Sequence, residues 1–239
     1  MYRIPEQGMT EYEVLSRGSC FAVTTERTST ERTAPTFLFS AHVAAPYQFP
    51  HLYPNARDWL EFVEPKHVRV FVEIWDEDVQ QFEIESIRKH VSRDVACGSI
   101  CEFTKDYDFN PMRLVPDIKI EPRQDIICEG HNIIDDDGIP ERLDVRGHSF
   151  FRTDHQVFLS TDDVLPHGMC GGPVISNADH SPALLGLLEG SIPIGTVSEH
   201  THGEIGKLLH DRHGAVCVES HDLYGLVNMK DGLYEPISC

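Results

Sequence analysis

The segment Pro166-His167-Gly168-Met169-Cys170-Gly171-Gly172-Pro173-Val174-Ile175 sets a thiol among glycines and then runs into an apolar stretch that reads as a buried strand. Glycines on both sides let the backbone turn sharply and leave amide N–H groups accessible, which is what a nucleophile and an adjoining oxyanion site need. Taken alone, the segment favours a glycine-rich turn around an inert cysteine, because free cysteine is among the most buried residue types. What separates the two readings is whether the rest of the chain supplies partners.

Gly168-Met169-Cys170-Gly171-Gly172-Pro173 resembles the Gly-x-Ser-Gly-Gly-Pro signature of trypsin-like (chymotrypsin-fold) peptidases, with cysteine in the nucleophile position as in the viral cysteine proteases of that fold. Phe37-Leu38-Phe39-Ser40-Ala41-His42-Val43 is similar to the family's strand ending in Ala-His, and Gly18-Ser19-Cys20-Phe21-Ala22-Val23 to the strand before it. Asp108-Phe109-Asn110-Pro111-Met112-Arg113-Leu114 is similar, more loosely, to the Asp-hydrophobic-Ala-Leu-Leu segment that carries an orienting carboxylate. The resemblance spans residues 18–190. It implies an all-β fold of two six-stranded antiparallel β-barrels with the active-site cleft between them.

It also implies nucleophilic acyl transfer. Cys170 attacks a peptide carbonyl, His42 takes the thiol proton and later delivers it to the leaving amine, and Asp108 holds the imidazole tautomer. Asp117, in Pro116-Asp117-Ile118, is the rival third member; Pro111 counts against Asp108, because proline removes a donor from a strand that should be paired. A thiol ionises near pH 8.5, about, so it needs less help than a hydroxyl and the carboxylate matters less than in a serine enzyme. The resemblance places the oxyanion hole at the backbone N–H groups of Gly168 and Cys170. Met169 stands where secreted trypsins carry an aspartate that pairs with a new N-terminus, so activation by that route is not expected. Glu189 falls on the expected cleft wall, where a carboxylate favours Lys or Arg, although a solvated strand-edge charge explains it as well. His167 is either a substrate contact or a turn residue.

A chain of 239 residues with 40% hydrophobic content suits one compact two-lobed unit. The expected boundaries are lobe one over residues 15–115, lobe two over 122–198 and a C-terminal extension over 199–239. A balance of 39 acidic against 20 basic residues, formally −19, disfavours nucleic acid and suits a basic protein or peptide substrate. No apolar run reaches the roughly 18 residues of a membrane span. Residues 1–6 lack a signal-peptide core, the seven cysteines are odd in number and irregularly spaced, and Val43 stands where secreted relatives place a disulfide cysteine. An intracellular, reducing location is the expectation.

The elements that must position the site are mostly short strands. Residues 20–24 and 36–39 read as a hairpin, and 67–74 alternate apolar and polar as a half-buried strand does. Pro46, Pro50 and Pro54 make the segment after His42 a surface loop, with one helical turn over 57–63. Strands are expected over 82–85 and 99–103, with a short helix over 87–91 between them. In the second lobe, strands are expected over 125–130, 142–147, 148–153, 156–160 and 183–190, and in the C-terminal extension a helix over 204–209 and a strand over 215–218. Asp135-Asp136-Asp137-Gly138 reads as a solvated turn, since the ligand spacing of a calcium loop is missing.

Among the fourteen histidines, His200, His202, His210, His213 and His221, with Cys217, fit no established zinc pattern, and no metal or other cofactor is expected. Two function classes follow: a cysteine-type endopeptidase, or a catalytically inactive pseudoprotease that binds peptides or scaffolds an assembly in the same cleft.

Overall fold

The computed structural model describes residues 1–25, 35–75, 79–100, 110–133, 138–154, 156–177, 182–197, 199–229 and 232–237. The first lobe is built from β1 (Cys20–Thr24), β2 (Thr36–Phe39), β3 (Phe71–Trp75), β4 (Val79–His90), β5 (Ala96–Ile100) and β6 (Met112–Arg113). Strands β4-β5-β2-β1-β6 form one sheet and β3 pairs with β4. In β1, Phe21 and Val23 are buried while their neighbours are half-buried, the period of a strand with one face on a core. The helix expected over 87–91 is instead the end of β4. Ser86, at φ +53°, breaks the register between Glu85 and Arg88, so a bulge bends one long strand around the sheet.

The second lobe comprises β7 (Asp125–Asn132), β8 (Glu141–Arg152), β9 (Val157–Thr161), β10 (Pro173–Ser176), β11 (Leu184–Ile192) and β12 (His213–Glu219). They close an antiparallel barrel in the order β10-β11-β12-β9-β8-β7. Residues 142–153, expected as two strands, lie largely within the single strand β8. Gly147 permits its passage, because a β-carbon there would sit 2.3 Å from the Ser160 carbonyl oxygen.

Among the described residues there are four α-helices: α1 (Ala41–Ala44), α2 (Arg57–Leu60), α3 (Glu199–Leu209, kinked at Gly203) and α4 (Ser220–Val227). None is long and apolar enough to cross a membrane. The final strand, β13 (Tyr234–Pro236), returns to the outer edge of β4.

The fold is thus mostly β, chymotrypsin-like and two-lobed, but the two lobes are unequal. Barrel two is closed; lobe one, among the described residues, is an open sheet, and its β1–β6 pairing is parallel. The segment expected as a C-terminal extension is integral to both lobes. β12 is the sixth stave of the barrel, since Ala215, Cys217 and Val218 are fully buried only when it closes. Leu223 and Leu226 of α4 pack with Phe21, Leu38 and Val95 of lobe one and Leu187 and Val218 of lobe two in a shared core. Apolar burial across that seam, at about 25 cal/mol per Å², ties the lobes together.

At the N-terminus, Ile4 packs with Leu60, Val63 and Val68, and Tyr2 stacks on Trp59. The residues before Val14 are therefore an arm laid on lobe one.

Candidate active site

His42 sits in α1, one turn beyond the buried strand β2, so the direction of its side chain is set by a short helix anchored on Ala41 and Ala44. The segment that follows is not extended: Pro46–Gln48 and Pro50–Leu52 form two 3₁₀ turns. They bring Phe49 and Tyr53 within 6.4 and 6.3 Å of the imidazole centroid, and the Tyr53 hydroxyl donates to the His42 carbonyl at 3.0 Å. Prolines that forbid a long helix here pre-set the tight turns that wall in the ring.

The carboxylate against that ring belongs to Asp94. The backbone N–H of His42 donates to Asp94 Oδ1 at 2.7 Å, and His42 Nδ1 pairs with Asp94 Oδ2. The Cys170 side chain interacts with the same imidazole and helps to hold it protonated. Asp108 lies outside the described residues, and Asp117 is exposed in the turn between the lobes; the place either was expected to fill is occupied by Asp94. Its sequence context carried a signal. Asp94-Val95-Ala96 follows the Asp-hydrophobic-Ala pattern more closely than Asp108-Phe109-Asn110, and it directly precedes β5, whose residues Ala96 and Cys97 are fully buried.

Burial disfavours the charged imidazole, but the Asp94 carboxylate that pairs with the ring and the negative charge of Asp94 and Cys170 outweigh it, and His42 is held up to about 9. An unfolded histidine titrates near pH 6.5, about. A raised native value means that this contribution to stability is complete below about 6.5 and is lost as pH rises through about 9. Urea unfolding of the wild type and of His42→Ala should therefore differ most at pH 6, and the gap should narrow by pH 9.5.

Cys170 is half-exposed on the turn that leads into β10. Lobe one grips this turn from one side: Ser19 N–H donates to the Cys170 carbonyl at 2.9 Å and the Ser19 hydroxyl to the Gly168 carbonyl at 2.7 Å. Barrel two grips it from the other, through Gly171 N–H to Leu188 O at 2.8 Å and Leu188 N–H to Gly172 O at 2.9 Å. Met169, 1% exposed, buries its side chain in the core of barrel two and so turns its neighbour Cys170 outward. The N–H groups of Gly168 and Cys170 have no acceptor among the described residues, which leaves both available to a developing oxyanion.

Two glycines are dictated by this geometry. Gly168 lies at φ +99° and Gly171 at φ +90°, and a β-carbon on Gly171 would come within 2.2 Å of the Ser19 carbonyl oxygen. Gly171→Ala should cost more than about 2 kcal/mol, from positive-φ strain plus the displaced backbone, measured by urea unfolding.

Both carboxylate oxygens of Glu189 accept hydrogen bonds within the chain. Its Oε1 accepts the Asp94 backbone N–H at 3.3 Å and its Oε2 the Gln156 side-chain amide at 2.6 Å. Burial raises its pKa, opposed by those hydrogen bonds. His167 is exposed on the turn before Gly168, and its carbonyl accepts the Ile133 N–H at 3.1 Å. A cavity of about 530 Å³ lies mainly against lobe one, lined by Arg17, Gly18, Phe37, Val43, His131 and Ile133 among others, and none of His42, Asp94 and Cys170 lines it.

Against known proteins, no family model matches this chain, and no curated protein does either. Among solved structures it is similar to the inactive form of the Rv3671c protease, with a TM-score of 0.49 and 14% identity over 90% of this chain and 84% of that one. It is also similar to the MamO protease domain from Magnetospirillum magneticum in its apo form, with a TM-score of 0.47 and 13% identity over 90% and 98% of the two chains. A mutant, inactive form of Rv3671c from M. tuberculosis H37Rv follows at 0.45 and 15%, over 88% and 84%.

Among the described residues, no group of three or more His, Cys, Asp or Glu side chains is arranged to hold a metal ion. Cys217 is fully buried in the barrel core, away from the exposed His200 and His210.

Proposed function

We propose that the protein is a cysteine-type endopeptidase that hydrolyses peptide bonds through Cys170, His42 and Asp94. One observation carries the reading: a single imidazole, at the seam of the two lobes, pairs with a carboxylate and interacts with the thiol of a glycine-lined turn. The Cys170 sulfur transfers its proton to His42 and attacks the substrate carbonyl carbon, forming a C–S bond as the carbonyl electrons move to oxygen. The N–H groups of Gly168 and Cys170 receive that oxyanion. As the C–N bond breaks, His42 gives its proton to the leaving amine, and a thioester remains on Cys170. Water, deprotonated by the same imidazole, then attacks the thioester; the acid departs and the thiol is restored.

A net charge of −19 supports a basic protein or peptide as substrate. A reducing compartment is the setting in which free cysteines, five of them among the described residues, persist. The test is labelling with an electrophilic peptide probe. The expected result is rapid modification of Cys170 that disappears in His42→Ala. Slow labelling indifferent to that substitution sinks the endopeptidase reading and leaves an inactive peptide-binding relative.

A further inference from the structure

Asp94 occupies a bend, residues 91–94, between β4 and β5, where no strand ladder fixes it. Its backbone N–H goes instead to a side chain of the other lobe, Glu189 on β11, which is braced through its second oxygen by Gln156 just before β9. The neighbouring Arg93 is tied in the same direction, its Nε 3.3 Å from Asp222 Oδ2 on α4, with both side chains largely buried. One residue before Glu189 on the same strand, Leu188 carries the two backbone hydrogen bonds that hold Gly171 and Gly172 beside the nucleophile. Successive residues of β11 therefore grip the two ends of the site, the thiol turn and the carboxylate bend.

We propose that Glu189 is a positioning residue that sets the distance between Asp94 and Cys170 by clamping the Asp94 bend of lobe one to barrel two. This rests on the reading of His42, Asp94 and Cys170 as the reacting set, and it gives the carboxylate on the cleft wall a role other than substrate choice. The charged and titratable groups facing Glu189 are Asp94 and Arg93 from the bend and Cys217 from β12. Without Glu189, the Asp94 N–H loses its acceptor and the bend can move relative to the imidazole. An error of about 1 Å in such a group costs as much as about 100-fold in rate.

The experiment measures alkylation of Cys170 by iodoacetamide against pH in the full chain, with site occupancy read by mass spectrometry. Glu189→Ala should slow labelling near pH 7 about tenfold and move the limb governed by His42 to lower pH. Glu189→Gln, which keeps an acceptor oxygen for the Asp94 N–H, should recover most of the rate. A profile for Glu189→Ala that superimposes on the wild type, whatever its thermal stability, overturns the inference. If Glu189→Ala does not fold, Gln156→Ala releases the same carboxylate from its brace; it should shift the limb in the same direction by less, and no shift overturns the proposal. A wild-type profile already identical to that of His42→Ala instead overturns the underlying reading, and the clamp with it.

Discussion

Replacing Cys170 with alanine should abolish peptide cleavage to the background of the uncatalysed reaction. No other group at the turn can form the acyl intermediate, and in enzymes of this kind loss of the nucleophile costs about 10⁴- to 10⁶-fold in kcat. His42→Ala should cost nearly as much, because the two residues act as a unit: a thiol without its imidazole neither loses its proton efficiently nor returns it to the leaving amine. The double variant should then be scarcely worse than either single one, and additive losses would contradict a shared step. Both substitutions are measured as kcat/KM on an unstructured basic peptide, beside circular dichroism to establish that the barrel persists. Persistence is expected, because Cys170 is half-exposed on a turn whose anchorage runs through Met169 and the backbone bonds of Ser19 and Leu188.

The second large effect is expected at Asp94. Asparagine there preserves size but removes the negative charge against His42 Nδ1, and an amide that turns its NH₂ toward the ring favours the wrong tautomer. In serine enzymes that exchange costs about 10⁴-fold; a thiol depends less on its base, so the expected loss in kcat/KM is about 10- to 100-fold. The basic limb of the rate profile should also fall below the value of about 9 at which His42 is held in the native site, since Asp94 is a main reason the ring keeps its proton. Asp117→Asn, in the exposed turn between the lobes, should change neither rate nor limb by more than about twofold. A larger loss at Asp117 or at Asp108 than at Asp94 would reject the assignment of the third residue.

Local chemistry made much of this legible in the chain. Gly168, Gly171 and Gly172 had to be glycines for a turn in which positive φ and close backbone approach coincide, so the nucleophile segment was readable without coordinates. The hairpin of β1 and β2 ending at His42, the strand β7 and the strand β11 were visible from alternation and from apolar runs bounded by turn residues. The helix expected over 87–91 failed because local pattern does not report a bulge: one residue with positive φ, Ser86, lets a twelve-residue strand bend and keep pairing with β5. The presumed C-terminal extension failed for a related reason. Whether the run around Cys217 closes a barrel depends on β9 and β11 offering unpaired edges, and those edges belong to residues far away in the sequence.

What the sequence by itself determined, then, is the identity of the thiol, the imidazole and the backbone turn that presents the thiol, because each is written into residues adjacent along the chain. Tertiary structure alone decided which of many acidic residues stands behind the imidazole, that lobe one remains an open sheet among the described residues, and that Glu189 accepts the Asp94 backbone N–H. With 39 carboxylates available, composition could not choose among them. Hydrogen bonds between residues on separate lobes are formed only once both lobes have folded and buried the seam they share.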